Sequence, residues 1–216
     1  MDATVYPGLA GINLTKVGGA ADVQRLVWRL ESLERARGMK ISSVKIYLLV
    51  ETAIGIVHAF ESCAASPRIV AAIFGAVDYT RDMQVKLTSE ATEQLFARSS
   101  MAVAARAARI LAIDAPFLTY QDIPAYERNI AEGRQLGYKG RMIVHPDLVE
   151  PANRLYAPTS EEVQWTEEIV HVFENKALAQ GKAAIVHKDK LVDMPVYASA
   201  QDILAHWKEI CAKNQR

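Results

Sequence analysis

The sequence predicts an α/β fold built on a parallel sheet. Three observations carry this expectation. Short apolar runs without polar alternation recur between residues 9 and 145. Each feeds a stretch with apolar residues at helical spacing, and each ends at or near a polar side chain. Strands buried on both faces and joined through helices are the pattern of a parallel sheet covered on its outer face.

The elements follow in order. Leu9 to Lys16 (LAGINLTK) is apolar with a charged end. Val23, Leu26, Val27, Leu30 and Leu33 then stand at helical spacing, with Gly38 as the C-cap. Val44 to Val50 (VKIYLLV) ends on Glu51. Ile56, Val57 and Phe60 mark one face of a short helix that stops before Ser66-Pro67. Ile69 to Phe74 runs into Gly75-Ala76-Val77-Asp78. Thr88 and Ser89 are placed to cap a long helix, with Glu90 and Glu93 in its first turns, where the helix dipole favours anions. That helix passes through AVAARAARI into Leu111 to Asp114. A helix around Tyr126 to Leu136 leads to Arg141 to His145 (RMIVH). Chemistry in such folds gathers at the carboxyl ends of the strands. Lys16, Glu51, Asp78, Asp114 and His145 are the polar residues expected there, and packing alone accounts poorly for five of them.

The texture changes near Pro151, which divides the chain into residues 1–150 and a C-terminal extension, 151–216. Thr159 and Glu162 form a capping box that opens a helix through Val163, Ile169, Val170 and Phe173. A turn-like HKDK precedes LVDMP, and a last helix carries Ile203, Leu204, Trp207 and Ile210.

Composition narrows the function classes. The formal net charge is zero, so the chain as a whole offers no electrostatic footprint for nucleic acid or an anionic membrane. No apolar stretch reaches transmembrane length and Met1-Asp2-Ala3 does not open a signal peptide, so cytoplasm is the default expectation. Cys63 and Cys211 suit neither a disulfide framework nor a zinc site.

Glu51 and Asp78 lie 27 residues apart, one strand–helix–strand unit. That spacing predicts two carboxylates on neighbouring strand ends, close enough to share a hard divalent cation such as Mg²⁺. The bland alternative pairs each acid with a lysine or arginine. The small residues of Gly75-Ala76-Val77 let backbone N–H groups face an incoming carboxylate, or they form a plain turn. Lys16 either meets the anions of this site or is a solvated strand end. On the residues alone Asp193 reads as a turn or cap residue, His145 as structural beside Pro146, and Asp114 as shaping the turn before Ala115-Pro116.

Six segments, in order, resemble a known family. Gly11 to Val17 (GINLTKV) is like GIxLPKV, with Thr15 where proline is usual. Glu51-Thr52-Ala53 followed by Gly55 is like ETAxG, and Phe74 to Asp78 (FGAVD) is like FGAED, with Val77 at the variable position. Ala97-Arg98-Ser99 with Ala112 to Pro116 (AIDAP) is like ARS…AIDxP. Gly140 to Pro146 (GRMIVHP) is like GKxxIHP, and Val192 to Pro195 (VDMP) matches a C-terminal VDxP element. Together these resemble the HpcH/HpaI aldolase superfamily and, within it, the citrate lyase beta-subunit-like proteins.

The resemblance implies a partial TIM-type (β/α) barrel, strands four to eight of eight, with a C-terminal helical extension. The family's acidic DLEDA-like strand and substrate-binding arginine have no counterpart here. A truncated gene, another chain or an oligomer would account for them, and this polypeptide alone is expected to show little activity and to associate through its open edges. The resemblance further implies Mg²⁺, with Mn²⁺ as a substitute, on Glu51 and Asp78, and substrate contacts at Gly75, Ala76 and Val77. It implies Lys16 and Asp193 as catalytic residues, with Asp193 donated to a neighbouring subunit of a trimer or a multiple of it. The implied reaction is cleavage of a 3-hydroxyacyl-CoA thioester of malyl-, citramalyl- or citryl-CoA type to an acyl-CoA and a 2-oxo acid. The alternatives are a metal-dependent (class II) pyruvate aldolase of the same superfamily and a non-catalytic remnant.

Overall fold

The structure, a computed structural model, describes residues 4–88 and 90–214. It comprises two compact units, one up to Ala152 and the other from Asn153. Among the described residues no helix is long and apolar enough to cross a membrane.

The first unit is built on five parallel strands in sequential order: β1 (Gly11–Leu14), β2 (Lys45–Val50), β3 (Ile69–Phe74), β4 (Leu111–Asp114) and β5 (Gly140–Arg141). Among the described residues β1 and β5 are the edges of this sheet, which does not close. Helix α1 (Ala20–Ala36) buries Val23, Leu26, Leu30 and Leu33, the spacing predicted for one face. It ends in a Schellman motif: the Gly38 N–H donates to the Arg35 carbonyl and the Met39 N–H to the Glu34 carbonyl. Gly38 takes φ 63° there and stands one place beyond the cap, where a side chain would be strained.

Several elements depart from expectation. In β2, Ile46, Leu48 and Val50 are fully buried while Lys45, Tyr47 and Leu49 are only partly covered, so this strand does alternate. The segment after it forms two short helices, α2 (Ala53–Val57) and α3 (Ala59–Ala64), rather than one. Their buried line is Gly55, Ile56, Ala59, Ser62 and Cys63, whereas Val57 and Phe60 face solvent. The small residues face inward because a Cβ on Gly55 would run into the Val17 carbonyl. After α4 (Ala76–Asp82), the long helix begins later than predicted. Ala91 turns left-handed at φ 52°, a 3₁₀ turn covers Thr92–Gln94, and α5 runs Leu95–Ala107. The Thr88 N–H and hydroxyl instead donate to the Glu93 carboxylate at 3.0 and 2.7 Å; Ser89 lies outside the described residues. Helix α6 (Ile123–Leu136) opens on the Asp122 side chain, which accepts from the Ala125 N–H. The strand expected over Arg141–His145 shrinks to Gly140–Arg141, because the chain leaves the ladder after the Met142 N–H meets the Asp114 carbonyl.

A buried ion pair ties the amino ends of these strands to α1. The Arg68 guanidinium, which precedes β3, donates to both Glu34 oxygens at 2.9 and 2.7 Å and to the Val44 carbonyl. Glu34 also accepts from the N–H groups of Ser42 and Val44, so every charge is answered. Burial alone would raise the Glu34 carboxyl, but the Arg68 and backbone donors outweigh it and hold it at about 2.

Helix α7 (Val149–Tyr156) spans the boundary in sequence. In the second unit α8 (Ser160–Val172) starts with the predicted reciprocal Thr159/Glu162 box. It continues through a π-helical turn, Phe173–Ala177, and a 3₁₀ turn, Leu178–Gln180. The HKDK stretch is the turn of an antiparallel hairpin, β6 (Ala184–His187) and β7 (Lys190–Asp193), with Lys188 and Asp189 both at positive φ as a type I′ turn requires. Helix α9 (Met194–Asn214) follows. Ile169, Phe173, Ala177, Val192, Tyr197 and Ala200 form the core.

Glu34→Gln leaves a buried guanidinium without its counter-charge and is expected to cost about 3–5 kcal/mol in denaturant unfolding. Because its folded pKa is depressed, Glu34 contributes stability that is fully present above pH 4.5 and lost as pH falls towards 2. The wild-type chain should therefore lose an increment of stability over that window that the variant lacks.

Candidate active site

The carboxyl ends of β1, β2 and β3 converge on one carboxylate. Glu51, the residue after β2, is 4% exposed. Lys16, two residues past β1, turns left-handed at φ 52° and aims its N–H at Glu51 Oε1, 3.0 Å away. Its ammonium reaches the other way, 3.4 Å from Asp78 Oδ1. The Glu51 carboxyl is raised above the usual range chiefly by burial; the Lys16 N–H opposes this and the neighbouring Asp78 adds to it. The two acids predicted from their spacing are therefore brought together, with Lys16 touching both.

Asp78 does not stand on a strand end. It lies in the first turn of α4, four residues after β3, and its side chain is 41% exposed. The connecting turn is shaped by Glu51: a Cβ on Gly75 would lie 2.9 Å from Glu51 Oε2 and closer still to its Cβ, so only glycine passes here. The Gly75 N–H is engaged by the Val50 carbonyl at 2.9 Å and does not face an open site. Ala76, buried, and Val77, half-exposed, are the first two residues of α4, where N–H groups lack partners within the helix.

Sequence reasoning missed several supports. Thr52 caps α2 by accepting from the Gly55 N–H at 3.1 Å, a role its place before a helix could have signalled. Asp82 accepts from the Ala53 N–H at 2.7 Å, joining the end of α4 to the start of α2. Asp22 accepts from the Gly18 N–H and pairs with Arg25. Asp22 and Arg25 line a cavity of about 270 Å³ with Leu14, Thr15, Lys16 and Leu26.

The remaining polar strand ends are occupied elsewhere. Asp114 is buried and held by Arg98 through two bonds, at 3.2 and 2.5 Å, while also accepting from the Ala115 N–H. His145 sits beyond β5, accepts from the Asp147 N–H and stacks on Tyr120 at 4.2 Å. Asp193 belongs to the second unit, where it ends β7 and accepts from the Val196 N–H at 3.2 Å as a cap of α9. Among the described residues no group of three or more His, Cys, Asp or Glu is placed to hold a metal ion. Glu51 with Asp78 is instead a two-carboxylate set, and oxygen donors of that number fit Mg²⁺, which retains several waters.

Comparison with known proteins extends this geometry. Residues 1–146 match the family described as HpcH/HpaI aldolase/citrate lyase. The citrate lyase subunit beta of Leuconostoc mesenteroides subsp. cremoris is 32% identical over 202 residues, covering 94% of this chain and 67% of its own. The L-malyl-CoA/beta-methylmalyl-CoA lyase of Cereibacter sphaeroides is 30% identical over 218 residues, covering 93% and 68%. The chain thus spans about two thirds of the length of these relatives. A solved citrate lyase beta subunit from M. tuberculosis, complexed with oxaloacetate and magnesium, is 25% identical with a TM-score of 0.57, over 70% of this chain and 63% of that one. The open five-stranded sheet is a partial TIM-type barrel, and the chain belongs to the HpcH/HpaI aldolase/citrate lyase family.

Proposed function

We propose that this chain carries the metal site of a Mg²⁺-dependent carbon–carbon lyase that cleaves a 3-hydroxyacyl-CoA thioester to an acyl-CoA and a 2-oxo acid. The carrying observation is Glu51: a buried carboxylate that accepts from the Lys16 backbone N–H and stands beside a second carboxylate, Asp78, against which the Lys16 ammonium rests at 3.4 Å. A carboxylate so placed calls for a further cation. The names of the citrate lyase and malyl-CoA lyase relatives support the reaction class, and the magnesium complex of the solved beta subunit supports the ion.

In this reading Glu51 and Asp78 hold the ion, which supplies polarisation of the hydroxyl and carboxylate oxygens of the hydroxy acid portion. The first-turn N–H groups of Ala76 and Val77 receive the carboxylate, while Gly75 keeps the backbone close to Glu51. The electron pair of the breaking carbon–carbon bond passes to the carbon beside the thioester, the hydroxyl gives its proton to water and becomes a carbonyl, and that carbon takes a proton from Asp193, which water restores. We assign Asp193 to a neighbouring copy in a homotrimer or a multiple of it, since its long carrier helix gives it reach. Mn²⁺ would serve as a substitute ion. The open edges at β1 and β5 favour a second reading, in which this segment binds the ion but turns substrate over only once further strands complete the sheet.

Titration calorimetry with Mg²⁺ and Mn²⁺ should show one site, lost in both Glu51→Gln and Asp78→Asn. Unchanged affinity in both variants would sink the assignment. With the ion present, malyl-, citramalyl- or citryl-CoA should be cleaved and free 4-hydroxy-2-oxo acids should not. Turnover of the free acids alone moves the protein to the pyruvate aldolase branch, and metal binding without turnover supports the second reading.

Donation of Asp193 is tested by complementation in an active assembly. Asp193→Asn and Glu51→Gln should each be nearly inactive, and co-assembled rings should recover activity at about one site in four by random mixing around a cyclic ring. No recovery in mixed oligomers verified by mass spectrometry excludes donation.

A further inference from the structure

We propose that Lys16 is a built-in counter-cation which a divalent ion displaces, and that its ammonium, once displaced, receives the anionic end of the substrate. The inference rests on the metal reading above and assigns to Lys16 a role that reading leaves open. Lys16 meets the two carboxylates through two different groups. Its backbone N–H is fixed on Glu51 at 3.0 Å, and its Cα is held at a left-handed φ that non-glycine residues adopt only when the surroundings require it. Its side chain is the opposite: 62% exposed, with the ammonium 3.4 Å from Asp78, longer than a charge-assisted hydrogen bond of about 2.8 Å. The backbone anchors while the charge is loosely held. Exposed pairs of this kind are weak and readily exchanged.

A divalent ion shared by Glu51 and Asp78 bears the same sign of charge as the ammonium and takes over its oxygen ligand. Coulomb repulsion at that range drives the lysine away, but its backbone bond to Glu51 keeps the stem beside the site. Because the backbone stays anchored on Glu51, the displaced ammonium remains within a side chain's length of the two carboxylates, where it would meet the carboxylate of a 2-oxo acid. A cavity that Lys16 lines with Thr15, Asp22 and Arg25 lies beside the stem. Thr15, in the position where the resemblance leads one to expect proline, places a hydroxyl at the same cavity.

Lys16→Met tests this, because it keeps the backbone N–H and the stem but removes the charge, and Lys16→Arg serves as the conservative control. Calorimetry on the full chain should show Mg²⁺ binding Lys16→Met about five- to tenfold more tightly than wild type, with Lys16→Arg close to wild type. Pyruvate titrated into the Mg²⁺-saturated proteins should bind Lys16→Met about tenfold more weakly than wild type, and Lys16→Arg should restore most of that loss. Equal Mg²⁺ affinity in wild type and Lys16→Met overturns this inference and leaves the metal reading standing. Tighter Mg²⁺ with unchanged pyruvate affinity overturns the receiving role. Absence of Mg²⁺ binding in all three proteins overturns the metal reading and this inference together.

Discussion

The burial of the Glu51 carboxylate organises the functional end of this fold. A charge taken out of water must be answered, and three neighbouring segments are bent to answer it. Lys16 adopts a left-handed backbone to offer its N–H, Gly75 gives up a side chain to let the chain pass, and α4 begins so that Asp78 comes alongside. Each makes sense once Glu51 has to be buried and charged in the same place.

Comparison with the other buried acids of the first unit separates scaffold from site. Glu34 and Asp114 are each closed by a guanidinium through two bonds, Arg68 in one case and Arg98 in the other. Their charges are cancelled and their hydrogen-bonding capacity is used. Glu51 instead accepts from the Lys16 backbone N–H, and the Lys16 ammonium lies against Asp78. Of these three buried carboxylates, those of Glu34 and Asp114 are sealed by guanidinium groups, while Glu51 is met by a neutral backbone donor. On the proposed reading, that difference marks where a cation would bind.

Much of this was legible in the residues. Apolar runs located four strands closely, and the spacing of Glu51 and Asp78 foretold their meeting. The capping box at Thr159 and the HKDK turn were read from local chemistry alone, which is short-range and carried by few residues. The failures arose where tertiary contacts overrode periodicity. Val57 and Phe60 look like a buried face, but the line of Gly55, Ala59 and Cys63 packs closer and wins. Asp114 does shape the turn before Ala115-Pro116, as expected, but its sealing by Arg98, distant in sequence, was not legible. The ARS and AIDAP segments are thereby explained as two halves of one buried ion pair. That Lys16 meets the anions of this site was one of two readings of the sequence; that it does so at Glu51 through its backbone N–H was not legible, because its left-handed φ is visible only in the folded backbone.

On the proposed reading, the shortfall of positive charge at Glu51 and Asp78 is made up by a divalent ion. The most direct measurement is an anomalous difference map from crystals of this chain soaked in Mn²⁺. A single strong peak is expected between the two carboxylates, within bonding distance of an oxygen of each, as a small hard cation requires. A map with no peak there, and Lys16 still seated on Asp78 at saturating Mn²⁺, would contradict it.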